Sequence, residues 1–196
     1  MALRGRVKAV LLCTVVLCSG CGATIRPSSL SNESARLRIL PIKHIAQRQR
    51  NLCGPTAVCM VMRYWGSDVN VAAIAEGVHF DPGKGVTLGD LKAYFVGQGY
   101  DAFLVQGGMD EVIAQIEKGR PALVCTHRFP RQNHLQVVIG YDPQSRALVV
   151  DDPGAGPQIV KPEKFRHRQQ RYSNVFVVVA PASKPGGRPD HTKREE

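Results

Sequence analysis

The segment Cys53-Gly54-Pro55-Thr56-Ala57-Val58-Cys59-Met60-Val61-Met62-Arg63-Tyr64-Trp65-Gly66 constrains this chain more than any other. Pro55 suits the first turn of a helix, where its missing N–H is not needed. Gly66 suits the end of one. Between them, Ala57, Val58, Met60, Val61, Met62, Tyr64 and Trp65 make residues 54–65 a largely apolar helix. A helix of that kind must be covered by other elements. The composition allows it, with 43% hydrophobic and 21% charged residues, well away from the disordered class. No apolar run reaches the roughly 18 residues expected of a spanning helix.

Around this helix the chain sorts into two halves. Residues 37–45 read as an extended lead-in. Asn70 opens a short helix over 70–76, and Thr87 with Asp90 resembles a capping box opening another to about Gln98. A strand follows over 100–106, then an amphipathic helix over 109–118 with Met109, Val112, Ile113 and Ile116 on one face. The later half reads mostly as strands: 122–126, 135–141, 146–150 after the turn 142–145, and 175–180, with a short helix from Lys161 to about Arg168. Helices first and an antiparallel sheet second predict an α+β fold, one helical layer on one sheet.

The termini read differently. Arg4, Arg6 and Lys8 precede the short apolar run 9–17, then Ser19 and Gly20 precede Cys21. That is a secretory signal over 1–20. The sequence Leu17-Cys18-Ser19-Gly20-Cys21 resembles a bacterial lipobox, with Cys18 where a Leu is usual. The resemblance implies cleavage before Cys21 and lipidation of its thiol, and Gly22 after it implies sorting to the outer membrane, facing the periplasm. Residues 21–36 are then a lipidated tether, 37–180 the folded domain and 181–196 a disordered tail. Losing three leader bases takes the net charge from +10 to about +7. Those charges are scattered and not interleaved with aromatics, which argues against a nucleic-acid partner. The reading is a monomer.

Six cysteines divide by position. Cys13 and Cys18 leave with the signal, and Cys21 takes the lipid. Cys59 and Cys125 read as small buried hydrophobes, and an oxidising envelope would also permit a disulfide between them. No spacing suits a metal, and no cofactor is called for. Cys53 remains, at a helix start whose partial positive charge favours a thiolate. His134, at the start of a strand, is the candidate base. The hairpin return brings Asp152 toward it, to orient the ring. Gln47, six residues before Cys53, offers an amide to a developing oxyanion. Gln49 is an alternative donor. Asp151 adjoins Asp152, and strand alternation sends one of the two inward. Of the other histidines, only His127 reads as a further possible base; His44, His79, His167 and His191 read as surface or loop.

Taken in order, Gln47, Cys53-Gly54-Pro55, the apolar helix ending Arg63-Tyr64-Trp65-Gly66, His134-x-x-Val137-Val138-x-Gly140-Tyr141 and Asp152-Pro153 resemble the bacteriocin-processing, double-glycine-leader cysteine peptidases. The resemblance spans roughly residues 40–180 and implies a papain-like fold. It implies that Cys53 and His134 react, Asp152 orients His134, and Gln47 lines the oxyanion hole. The expected activity is peptide hydrolysis without a cofactor, on a peptide or protein substrate, in the bacterial cell envelope. Two other outcomes fit the same residues: a catalytically inactive peptide- or envelope-binding lipoprotein, and an acyl transferase.

Overall fold

Val175 to Val179 are apolar without alternation, as are Leu148 to Val150. Strands of that kind are covered on both faces. In the computed structural model, which describes residues 37–128 and 132–182, both faces of the sheet are indeed covered. The single helical layer expected from the sequence is therefore corrected to two.

The strands are β1 (Arg38–Ile39), β2 (Tyr100–Gln106), β3 (Ala122–Arg128), β4 (Gln132–Tyr141), β5 (Leu148–Asp152), β6 (Gly156–Val160) and β7 (Val175–Pro181). They form one antiparallel sheet in the order β2-β7-β3-β4-β5-β6, with β1 on β4. The helices are α1 (Cys53–Tyr64), α2 (Val71–Gly77), α3 (Leu88–Gly97), α4 (Met109–Glu117) and α5 (Pro162–Gln170). One core joins α1, α2 and α3 to Leu123, Leu135, Val137, Val149 and Val177. The other joins α4 and α5 to Val124, Val138, Leu148, Val150 and Phe176. The division follows the two-residue period of the strands.

Local signals explain most boundaries. The Asn70 side chain caps α2 by accepting from the Ala73 N–H at 3.0 Å. Thr87 and Asp90 form a reciprocal capping box at α3. Helix α4 buries Met109, Val112, Ile113 and Ile116, the predicted face. Helix α1 has ten buried residues and is walled on the sheet side by β4. Each large aliphatic side chain buried there contributes about 1.5–3 kcal/mol.

Three boundaries and two short strands differ from expectation. β4 begins at Gln132, so His134 lies inside the strand and not at its start. β5 runs on to Asp152, and β6 and the two-residue β1 were not foreseen as strands. β7 ends at Pro181, one residue into the expected tail. The signal segment, Cys21, the tether and residues 183–196 lie outside the described residues.

Close backbone approach explains Gly140. A Cβ there would stand 2.4 Å from the Arg38 carbonyl oxygen and 3.0 Å from Ile39 Cα. Gly97, at the end of α3, faces open space. Gly140→Ala should therefore destabilise the domain by about 1–3 kcal/mol. Gly97→Ala should be neutral or stabilising by up to about 1 kcal/mol. Denaturant unfolding of the two variants against the parent checks the contrast.

Candidate active site

Cys53 is the first residue of α1. The turn before it passes through Asn51 at φ 64°, a left-handed conformation that Asn tolerates. The Asn51 side-chain amide also donates to the Pro82 carbonyl at 2.7 Å, tying this turn to the 80s loop. Gly54 explains how the helix end comes so near the sheet. A Cβ on it would lie 2.2 Å from Val86 Cγ2 and 3.1 Å from Leu135 Cδ1. The Leu135 amide thereby reaches the Cys53 sulfur.

His134 sits on β4 opposite Thr126 of β3 and is only 5% exposed. Its Nε2 is 2.6 Å from Asp152 Oδ1. That leaves Nδ1 for the Cys53 thiol, to which the ring is hydrogen-bonded. Asp152 is held in turn. Its Oδ1 accepts from the Gly154 N–H at 2.7 Å, and its Oδ2 accepts from Gln136 Nε2 at 2.8 Å. Thr126 donates to Gln136 Oε1 at 3.0 Å. The structure thus brings Cys53, His134 and Asp152 into one buried hydrogen-bonded chain, braced by Gln136 and Thr126.

Gln136 was not singled out in the sequence. Its signal was there: a polar residue two places after His134, hence on the same face, in an otherwise apolar strand. Asp151 corrects a second expectation. Both aspartates are buried, because both sheet faces are covered. Asp151 points to the α1 side and pairs with His44 Nδ1 at 2.6 Å, so His44 is not a bare surface residue.

Gln47 is placed beside this centre by its backbone, whose N–H donates to the Pro153 carbonyl at 2.8 Å. Its side-chain amide donates to the Gln49 carbonyl at 3.2 Å, while its Oε1 is buried without a partner among the described residues. The Gln49 side chain is exposed.

The charges are arranged for an ion pair. Burial pushes the Cys53 thiol up, but the His134 hydrogen bond, the Leu135 amide, the imidazolium charge and the Gly54 amide bring it below the ordinary thiol value. Burial works against a charged His134, yet hydrogen bonds to Asp152 and Cys53 and their charges raise it to about 9. Asp152, despite its burial, is held below the usual carboxylate range by His134, Gly154 and Gln136. Asp151 goes the other way, raised chiefly by burial.

The sulfur opens on a cleft of about 730 Å³. One wall comes from the loop and helix start between His79 and Asp90. The opposite wall includes Asn133 and also the Tyr172–Val175 corner, which had no sequence signal. Cys125 lines this cleft as well and is half-buried, so of the two cysteines expected in the core Cys59 is the fully buried one. Cys53, Cys59 and Cys125 are all free thiols. Burial, then the charge of Cys53, pushes Cys125 up to about 11.

A thiol at a helix start, an imidazole on a facing strand and a carboxylate behind it define the geometry of thiol-based acyl chemistry. The sequence profile of the Peptidase_C39 like family matches residues 39–176, and the chain belongs to that family. Its fold matches the peptidase domain of Streptococcus ComA, a bi-functional ABC transporter of a quorum-sensing pathway, with a TM-score of 0.62, 20% identity, and 72% of this chain and 99% of that one covered. It also matches a C39-like protein from Bacillus anthracis (TM-score 0.63, 19% identity, 74% and 98% covered). A third match is a double-glycine-motif protease from an AMS/PCAT transporter, solved with its leader peptide (TM-score 0.61, 15% identity, 74% and 94% covered). At the sequence level it is 24% identical over 141 residues to the pediocin PA-1 transport/processing ATP-binding protein PedD of Pediococcus acidilactici, matching 72% of this chain but 19% of that protein's length. The α+β, papain-like architecture is thus shown, and family membership points to cysteine peptidase activity.

Two measurements test the electrostatics. A thiol alkylating agent at neutral pH should modify Cys53 about tenfold or more faster than Cys125, because the thiolate is the reactive form; peptide mapping reads the order. The His134 ring should titrate at about 9 by NMR, and distinctly lower in Asp152→Asn, which removes the carboxylate that stabilises its charged form.

Proposed function

We infer that this protein hydrolyses peptide bonds through a Cys53–His134–Asp152 mechanism, in the bacterial cell envelope, anchored through a lipid on Cys21. The carrying observation is the grouping of Cys53, His134 and Asp152 at the mouth of a cleft, with His134 Nε2 2.6 Å from Asp152 and its ring coupled to the Cys53 thiol.

The Cys53 thiolate attacks the scissile carbonyl carbon, forming a C–S bond while the carbonyl electron pair moves to oxygen. The Cys53 N–H and the Gln47 amide stabilise that oxyanion. Gln47 does so after turning from its long bond to Gln49. The tetrahedral species collapses, the C–N bond breaks, and His134 gives its proton to the leaving amine. Water then attacks the thioester, passing a proton to His134. The acid departs, and thiolate and imidazolium are restored. Asp152 holds His134 in the required tautomer throughout. The family resemblance supports a peptide or protein substrate. The lipobox pattern supports the anchor.

A peptide electrophile should label the wild-type domain stoichiometrically and Cys53→Ala not at all; a wild-type protein that stays unlabelled would sink the enzyme reading. On a cleaved peptide, Cys53→Ala should abolish turnover and His134→Ala should lower it by about 10²–10⁴-fold. Because Cys53 and His134 titrate as a pair, kcat/KM should be bell-shaped in pH. Its acid limb should lie below the ordinary thiol value, and its alkaline limb at about 9, where His134 loses its proton. An added amine acceptor should not divert the acyl product. Cys21→Ser protein should move from the membrane fraction to the soluble one.

A further inference from the structure

His134 and Asp152 also line a second cavity, separate from the cleft at Cys53. Both belong to the α4/α5 side of the sheet, since Gln136 and Val138 follow His134 on that face. The cavity measures about 360 Å³. Helix α5 packs across β3 here and contributes Arg168, with Arg171 just past its end. His127 of β3 also lines it.

The charge of this cavity is one-sided. Two guanidinium groups line it, and they stay charged at any ordinary pH. Among the described residues, neither arginine has a carboxylate in an ion pair, whereas Arg166 on the same helix pairs with Glu163 at 3.6 Å. Asp152 is the one acidic residue in the lining, and its oxygens already serve His134, Gly154 and Gln136. Its single charge faces the His134 ring, and the two guanidinium groups outnumber it. The remaining lining is made of hydrogen-bonding groups, the Thr126 hydroxyl and the Gln158 amide among them. A half-enclosed space with two unpaired guanidinium forks suits an anion with two or more oxygens, the geometry Arg recognises best.

The geometry points to a binding site for a small oxyanion, a carboxylate or a phosphate group, held between Arg168 and Arg171 behind the His134–Asp152 pair. His134 stands between this site and the Cys53 sulfur, so the ligand and a substrate carbonyl occupy different spaces. The site rests on the cavity alone and holds whether or not the protein turns over peptides.

The test titrates the folded domain with inorganic phosphate and, separately, with acetate, against chloride at matched ionic strength. The imidazole resonances of His127 and His167 report occupancy by NMR. A saturable shift with a millimolar dissociation constant is expected, and the tighter of the two probes assigns the ligand class. Arg168→Gln/Arg171→Gln should weaken binding tenfold or more. Arg166→Gln, outside the cavity, should leave it unchanged. Thermal unfolding without added anion establishes that each variant is folded, and the single Arg171→Gln change, at an exposed residue, serves if the double variant is not. Absence of any saturable shift with either anion, or equal affinity in the folded arginine variants, would overturn the proposal.

Discussion

Gly54 has no side chain, and so the N-terminal end of α1 closes on β4 until Val86 and Leu135 fill the space a Cβ would take. The rest of the centre depends on that approach. It carries the Cys53 sulfur to the Leu135 amide and to the His134 ring, at a helix end where unpaired N–H groups already favour negative charge. A buried thiol without those partners would be a harder acid than a free one, as Cys125 is at about 11. In the same cleft the Cys53 thiol is lowered and the Cys125 thiol raised, and the difference lies in their hydrogen-bond partners and in the charges beside them.

The aspartates at 151 and 152 show the same principle in carboxylates. They are neighbours on one strand, both buried, and shifted in opposite directions. Asp152 accepts from three donors, one of them the protonated His134 imidazole, so its charge is compensated. Asp151 has His44 on one oxygen and nothing described on the other. Low-dielectric surroundings penalise both; the partners decide the outcome. The sheet makes this possible by presenting successive residues to two different covered layers.

Much of this was legible because it is written in local chemistry. Asn70, Thr87 with Asp90, and the stripe Met109-Val112-Ile113-Ile116 marked their helices through caps and period. Gly and Pro after Cys53 marked a helix start. What was missed lacks a local signature. Strand β6 contains Gly156 and Pro157, which weaken any strand pattern, and it is tolerated because it is the sheet's edge. The two residues of β1 are too few for periodicity. The second helical layer was hidden because α4 and α5 are separated in the chain by three strands and a further hairpin arm, and nothing local says which face each covers.

By itself the sequence determined the chemical identities: a thiol at a helix start, a histidine and an aspartate on paired strands, and the order in which they occur. These depend on residue type, spacing and short-range periodicity, which a linear chain contains. Tertiary structure alone decided that Asp151 is buried as well as Asp152, that Gln136 and Thr126 brace the His134–Asp152 pair, that Cys125 shares the cleft, and that two arginines gather behind the pair. Each of those depends on strand register and on which layer covers a face, and such pairings are made between residues far apart in the chain.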